Sequence, residues 1–325
     1  MRRLSVALAA ASAALFAAKK IVEAPPDPVV AERAVYASMA GPWEHGYAEA
    51  NGLRFHYAAV GEVGAPLVVL LHGFPECWYE WAGIMPRLAR EGGFRVVAPD
   101  MRGYNLSDRP TGMHNYTLDK LASDVPGLIH ALGYSRAHLV AHDWGGGVAW
   151  QATVDYPEAI ERLVVINAPH PERYAEVVRR SPKQLLRSYY IFLFQVPLIA
   201  EAIVRLSLRY SLRSSTYMPN TFSDEALDVY ENAISQPGAA TAMLNYYRAA
   251  LRRPPTVWSR GRQITRPTLL IWGMKDFALV PGLADGLERW VPDLRVERVH
   301  DSGHWVPEER PGLVTDSVLR FLHLA

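Results

Sequence analysis

Short, continuous apolar runs alternate with longer helical patterns along most of this chain. That alternation constrains the fold more than any other feature. Residues 67–71 (LVVLL), 95–99 (RVVAP), 137–141 (AHLVA), 163–166 (LVVI) and 268–272 (TLLIW) each read as a strand buried on both faces. Residues 53–60 alternate as a half-buried strand, and 294–300 as a late strand with one wetter face. Helical patterns fall between them, at about 80–91, 117–132, 145–156 and 311–324. Strands that alternate with helices predict a mostly parallel sheet with helices on both faces, an α/β fold.

The alternation stops between about 170 and 262. This stretch is rich in Arg, Tyr and Leu, has helical spacing, and is punctuated by Pro182, Pro197, Pro219 and Pro237. Lying between two strands, it reads as an inserted helical cap over the carboxyl edge of the sheet. The expected organisation is an N-terminal segment over 1–24, a linker over 25–42, a core over 43–169, the cap over 170–262, and the rest of the core over 263–325.

Residues 4–18 are almost wholly apolar, with Arg2 and Arg3 before and Lys19 and Lys20 after. As a helix the run reaches roughly 22 Å at ~1.5 Å per residue. A hydrocarbon core of ~30 Å asks for about 20 residues, so the run is short for a span. Three readings stay open: a signal peptide, an uncleaved anchor with snorkelling lysines, or an Ala-rich helix packed on the domain. No clean small-x-small cleavage site is present, and Pro25 follows the best candidate, Ala24. The expectation is membrane association through this segment or export, with a cytoplasmic location as the alternative. The 34 basic and 33 acidic residues leave a net charge of +1, which argues against nucleic acid as a partner. Cys77 is the one cysteine, so no intramolecular disulfide and no thiolate metal cluster can form.

The strand at 137–141 runs into His142-Asp143-Trp144-Gly145-Gly146-Gly147 and then a helix. A nucleophile elbow needs this strand, sharp turn and helix, with small residues two positions either side of the centre, here Ala141 and Gly145. The centre is Asp143 where an esterase has Ser. A carboxylate attacks saturated carbon and gives an ester. Taken alone, Asp143 could equally be a helix N-cap, and the glycines fit neither nucleotide-binding pattern. Strand 67–71 ends in His72-Gly73-Phe74-Pro75-Glu76, where this fold places a second oxyanion donor; the N–H groups of Phe74 and Trp144 are the candidates. Pro75 suits a tight, cis peptide. His72 and Glu76 are candidates to support the site from behind, Glu76 by orienting a water or by a structural role. Asp276 follows strand 268–272, and His304 follows the last strand beside Gly303. Nucleophile, acid and base thus occur in the order of this fold, with His304 as base and Asp276 orienting it.

HGFPE at 72–76, DMRGY at 100–104, HDWGG at 142–146, WGMKD at 272–276 and SGHW at 302–305 together resemble the epoxide hydrolases of the α/β-hydrolase fold. The likeness spans roughly residues 43–325, and the apolar N-terminus is similar to the membrane-anchored branch of that family. Ala141 departs from the glycine common at the start of the elbow. The resemblance implies two cap tyrosines that donate to the epoxide oxygen. One falls at Tyr247, in Asn245-Tyr246-Tyr247-Arg248. The other lies shortly before Phe194-Gln195-Val196-Pro197, at Tyr190, with Tyr189 as the one-residue alternative. A phenol with a pKa of ~10 stays protonated at neutral pH and can donate to a developing alkoxide.

The implied reaction forms a hydroxyalkyl ester on Asp143, which water activated by His304 then hydrolyses to a vicinal diol. The partners are a small apolar epoxide and water, and no metal or organic cofactor is required. A haloalkane or haloacid dehalogenase using the same Asp-His-Asp set is the alternative. A binding protein on a hydrolase scaffold would usually lose part of that set, and no GxSxG for a serine esterase occurs.

Overall fold

The computed structural model describes residues 2–252 and 262–323, with side chains from residue 12 onward. Eight strands form one sheet in the order β1-β2-β4-β3-β5-β6-β7-β8. They are β1 (Glu44–Ala50), β2 (Leu53–Val60), β3 (Leu67–Leu71), β4 (Arg95–Pro99), β5 (Ala137–His142), β6 (Ile160–Ile166), β7 (Thr268–Gly273) and β8 (Leu294–Val299). β2 pairs antiparallel with both β1 and β4, and every pair from β4 across to β8 is parallel. The five central apolar runs are buried over their full length where predicted, because helices cover both faces. The topology is that of the α/β-hydrolase fold, and it brings the carboxyl ends of β3, β5, β6, β7 and β8 to one edge.

Helices α3 (Met85–Gly92), α4 (Leu118–Ala131), α5 (Asp143–Asp155) and α13 (Pro311–Leu322) flank the sheet. The helix expected over 80–91 is divided. A 3-10 turn at Trp78–Trp81 precedes α3, which starts at Met85 with Pro86 in its first turn. Trp78, Trp81, Trp150 and Trp272 are fully buried and anchor the core. Each such aromatic removes ~150–250 Å² from water, which makes it a large single contribution to packing.

Among the described residues the inserted segment is helical. It comprises α6 (Pro171–Arg180), α7 (Pro182–Arg187), α8 (Tyr189–Leu193), α9 (Ile199–Ser215), α10 (Asp224–Ser235) and α11 (Ala239–Arg252). Residues 253–261, where the insertion was expected to return to the core, lie outside the described residues.

The linker expected over 25–42 is corrected. Residues 28–39 form helix α2 (Pro28–Met39), capped by the Asp27 carboxylate, which accepts from the N–H groups of Val29 and Val30. Aspartate followed by proline at the first helical position is a helix start, so Pro28 opens this helix where it was read as part of a linker. Ala34 and Ala37 are buried, and Arg33 pairs with Asp228 of α10 at 2.7 Å. The apolar N-terminal run lies in α1 (Arg2–Glu23), and the side chains of residues 4–11 are outside the described residues. Ala18 is buried, and Arg205 of α9 donates to the carbonyls of Val22 and Ala24 at 2.5 and 2.8 Å. No helix among the described residues is long and apolar enough to cross a membrane.

Candidate active site

The strand-to-helix turn at Asp143 carries the geometry its neighbours predict. Asp143 sits at φ +45°, a left-handed conformation that costs a non-glycine residue about 1–3 kcal/mol. The turn holds because small residues surround it. A Cβ on Gly145 would stand 2.3 Å from the Leu71 carbonyl oxygen, so only glycine lets α5 approach β3 this closely. The strained backbone lifts the Asp143 carboxylate to the edge of the sheet, where its side chain keeps 22% exposure.

Three loops converge on that carboxylate. From the β3 turn, the Phe74 N–H donates to Asp143 Oδ1 at 3.0 Å; the Phe74–Pro75 peptide is cis. From the β8 loop, His304 Nε2 lies 3.6 Å from Asp143 Oδ2. From the β7 loop, Asp276 Oδ2 meets His304 Nδ1 at 2.7 Å. Trp144 follows the nucleophile at the start of α5, where helical N–H groups lack intrahelical partners. The structure thus brings together Asp143, Asp276, His304, Phe74 and Trp144.

Electrostatics set the protonation of this group. Burial works to raise the Asp143 pKa, but the adjacent His304 and the Phe74 N–H outweigh it, and the carboxyl lies below its ordinary value. Burial pulls His304 down, yet Asp276 and Asp143 overcome that and push it up to about 10. The resting pair is therefore carboxylate and imidazolium. His72 is fully buried and lowered to about 4 by burial. Its Nε2 accepts from the Met101 N–H at 3.0 Å, so its Nδ1 carries the proton and donates to the Gly73 carbonyl at 2.9 Å. His72 thereby fixes the turn that carries Phe74.

The cap tyrosines face the nucleophile from above. Tyr247 is buried, with its ring centroid 5.0 Å from Trp144, 5.2 Å from Phe74 and 5.8 Å from Tyr190. Burial, then the nearby Asp143 charge, raises the Tyr247 pKa well above its ordinary value; burial, Tyr174 and Asp143 do the same for Tyr190. Both phenols keep their protons. Tyr189 is 67% exposed, turned away from the site. Tyr246 reaches back to the core, donating to the Arg102 carbonyl at 2.8 Å.

Several supporting residues escaped the sequence reading. Asn167, at the end of β6, donates to Asp276 Oδ2 at 2.7 Å and accepts from the Gly273 N–H at 2.7 Å. The N–H groups of Ala278 and Leu279 hold the other Asp276 oxygen at 2.7 and 2.8 Å. Glu309 accepts from the Ser302 hydroxyl and the Gly303 N–H, which fixes the loop carrying His304. Its other oxygen accepts from the Tyr217 N–H of the cap at 2.7 Å. A polar residue directly after a buried strand was the available signal for Asn167. Arg102 and Asp100 hold backbone near the site: Arg102 donates to the Asn115 carbonyl and pairs with Asp124, and Asp100 accepts from the Trp78 N–H.

Behind the nucleophile, Glu76, Glu80 and His142 each bring one ligand-type atom within 4.8 Å of the others. Such spacing suits a cation, but carboxyl ligands must be ionised. Burial first, then neighbouring carboxyls, drives Glu76, Glu80 and Glu308 well above the usual carboxylate range, so these acids keep protons. The cluster is a buried group of acids beside a histidine, behind the nucleophile.

Fold and site together define a hydrolase of the α/β class, and a family model described as alpha/beta hydrolase fold matches residues 66–311. The AB hydrolase superfamily protein YfhM of Bacillus subtilis is 41% identical over 279 residues, which cover 85% of this chain and 96% of that one. Epoxide hydrolase 4 of Mus musculus is 37% identical over 281 residues, 84% of this chain and 77% of the relative. The crystal structure of a Bacillus megaterium epoxide hydrolase with an inhibitor superposes with a TM-score of 0.76 at 30% identity, covering 86% of this chain and all of that one. The chain belongs to the epoxide hydrolases of the α/β-hydrolase fold.

Proposed function

We propose that the chain converts an apolar epoxide to a vicinal diol through a covalent ester on Asp143. The observation that carries this reading is a carboxylate at the elbow, 3.6 Å from His304 and under a cap that pairs Tyr190 with Tyr247 beside Trp144. The Asp143 carboxylate attacks an epoxide carbon and the C–O bond breaks. Tyr190 and Tyr247 donate to the departing oxygen as it gains charge. His304, oriented by Asp276, then takes a proton from water, which attacks the ester carbonyl carbon. The Phe74 and Trp144 N–H groups hold the resulting oxyanion. Collapse releases the diol and restores the carboxylate.

The aromatic walls formed by Phe74, Trp144, Phe194 and Tyr247 favour an apolar substrate. A dehalogenase is disfavoured, since a leaving halide has no need of a tyrosine pair, and relatives such as epoxide hydrolase 4 of Mus musculus and the Bacillus megaterium enzyme are epoxide hydrolases. The decisive experiment is a single turnover with enzyme in excess in heavy-oxygen water. Label is expected in the Asp143 carboxyl, because water attacks the ester carbonyl. Label in the first-turnover diol would mean direct attack of water on the epoxide.

The localisation this reading favours is a lipid surface. Leu15 and Phe16 of α1 are exposed, as are Leu206 and Tyr210 of the α9 helix, against which α1 packs. The full chain is expected to sediment with anionic phospholipid vesicles, and a chain lacking residues 1–24 to remain in solution. Equal sedimentation of both would exclude α1 as the attachment.

A further inference from the structure

The acid cluster behind the nucleophile contains one residue with a direct line to the oxyanion turn. Glu80, in the 3-10 turn at Trp78–Trp81, is buried, and its Oε2 accepts the Gly73 N–H at 2.7 Å. Gly73 precedes the residue whose N–H meets Asp143. That peptide has little slack: a Cβ on Gly73 would stand 2.8 Å from the Asp143 Cβ and 3.1 Å from His142 Nδ1. Glu80 therefore clamps the backbone one residue upstream of a reacting contact.

Its second oxygen explains why the clamp is an acid. Glu80 Oε1 lies 3.0 Å from His142 Nδ1 but off the ring nitrogen's axis. That oxygen, both Glu76 oxygens and Glu308 Oε2 receive no N–H or hydroxyl hydrogen bond from the described residues. Carboxyl-to-carboxyl hydrogen bonds link Glu76 to Glu80 and to Glu308 once protons are present. His142 cannot supply a balancing charge. Its Nε2 lies 3.0 Å from the His304 carbonyl, to which it can only donate, and burial lowers its pKa to about 4. The groups facing Glu80 are thus Glu76, Glu308, Asp143, neutral His142, and the uncharged Cys77 and Tyr230. The His304 imidazolium lies beyond His142, ring centroids 5.0 Å apart, and is paired with Asp143 and Asp276, so an ionised Glu80 would be a buried charge with no counter-charge in contact.

We propose that Glu80 is a positioning residue for ester hydrolysis, holding the Gly73 peptide so that the Phe74 N–H stays aimed at the Asp143 carboxyl oxygen. The inference rests on the ester route at Asp143. It predicts that Glu80 matters most when the oxyanion forms, hence more for hydrolysis than for alkylation.

The test compares wild type, Glu80→Gln and Glu80→Ala by rapid mixing with a styrene-type aryl epoxide, measuring ester formation and ester decay separately. Glu80→Ala is expected to slow ester decay by about 10-fold to 100-fold, the range for a displaced catalytic contact, with ester formation changed only a few-fold. Glu80→Gln keeps an acceptor for Gly73 and a donor for the cluster, without a titrating proton. It should retain near wild-type ester decay, because the Gly73 N–H keeps its side-chain acceptor. Failure of the wild type to form an ester would sink the ester route itself. Decay in Glu80→Ala equal to wild type would overturn only the role given to Glu80. Where Glu80→Ala does not fold, Glu80→Met, which fills the space but removes the acceptor for the Gly73 N–H, decides: ester decay equal to wild type overturns the proposal.

Discussion

Replacing His304 with glutamine is expected to trap the enzyme as an alkyl ester on Asp143, seen by mass spectrometry as an adduct equal in mass to one substrate. Steady-state diol formation should fall by ~10⁴-fold, the upper range for loss of a general base. Alkylation requires an ionised Asp143 and does not need His304 to accept a proton. Hydrolysis does. In the resting enzyme Asp143 and Asp276 hold the imidazole as a cation with a pKa of about 10. Ester formation removes the Asp143 charge, and with it one of the two anions that raise the value. His304 in the intermediate thus titrates below its resting value. The ester-decay rate should rise with pH as the imidazolium loses its proton, then level off. In His304→Gln that rise should vanish. Unimpaired diol formation without an adduct would show that His304 is not the base.

The tyrosine pair gives the opposite phenotype. Tyr190→Phe with Tyr247→Phe is expected to abolish adduct formation while leaving any preformed ester to decay normally. Each phenol donates to an oxygen that becomes an alkoxide, and one such donor is worth roughly 10²–10³-fold. The double variant should lose at least ~10³-fold in alkylation, with single variants intermediate because one phenol partly covers for the other. Both phenols are raised in pKa, so activity should not fall near the usual tyrosine range at the alkaline end through loss of these protons. Stopped-flow tryptophan fluorescence follows the step directly, since Trp144 packs 5.0 Å from Tyr247. Undiminished halide release from a haloalkane in the double variant would revive the dehalogenase reading.

Much of the fold could be read from residue order. The five buried runs admit only a sheet covered on both sides, and each became a central strand. β1 escaped because EHGYAEA is an edge strand with mostly exposed residues, which leaves no apolar alternation to detect. α2 escaped because its prolines suggested a linker, although Asp27 and Pro28 form a capping pair. At the site, Asp143, Asp276 and His304 were legible because the fold fixes where nucleophile, acid and base stand on the sheet edge. Tyr189 and Tyr190 could not be separated by counting. In helix α8 the Tyr190 ring lies 5.8 Å from that of Tyr247, and Tyr189 is exposed, which supports Tyr190 as the donor we propose. Asn167, Glu80 and Glu309 were not legible as supports, since their partners are set by tertiary folding. Asn167 grips a carboxylate 109 positions later in the chain.

The residues ahead of the core have a mechanical consequence for the cap. Arg205 of α9 grips the end of α1, Arg33 of α2 grips Asp228 of α10, and Trp43, just beyond α2, packs its ring 5.2 Å from Trp78 in the core. One stretch of chain therefore ties the outer side of the canopy to the body beneath it, like a guy rope. A canopy moored in this way resists a wide swing, so cutting the mooring should quicken the exchange of bulky guests before it alters any bond-making step.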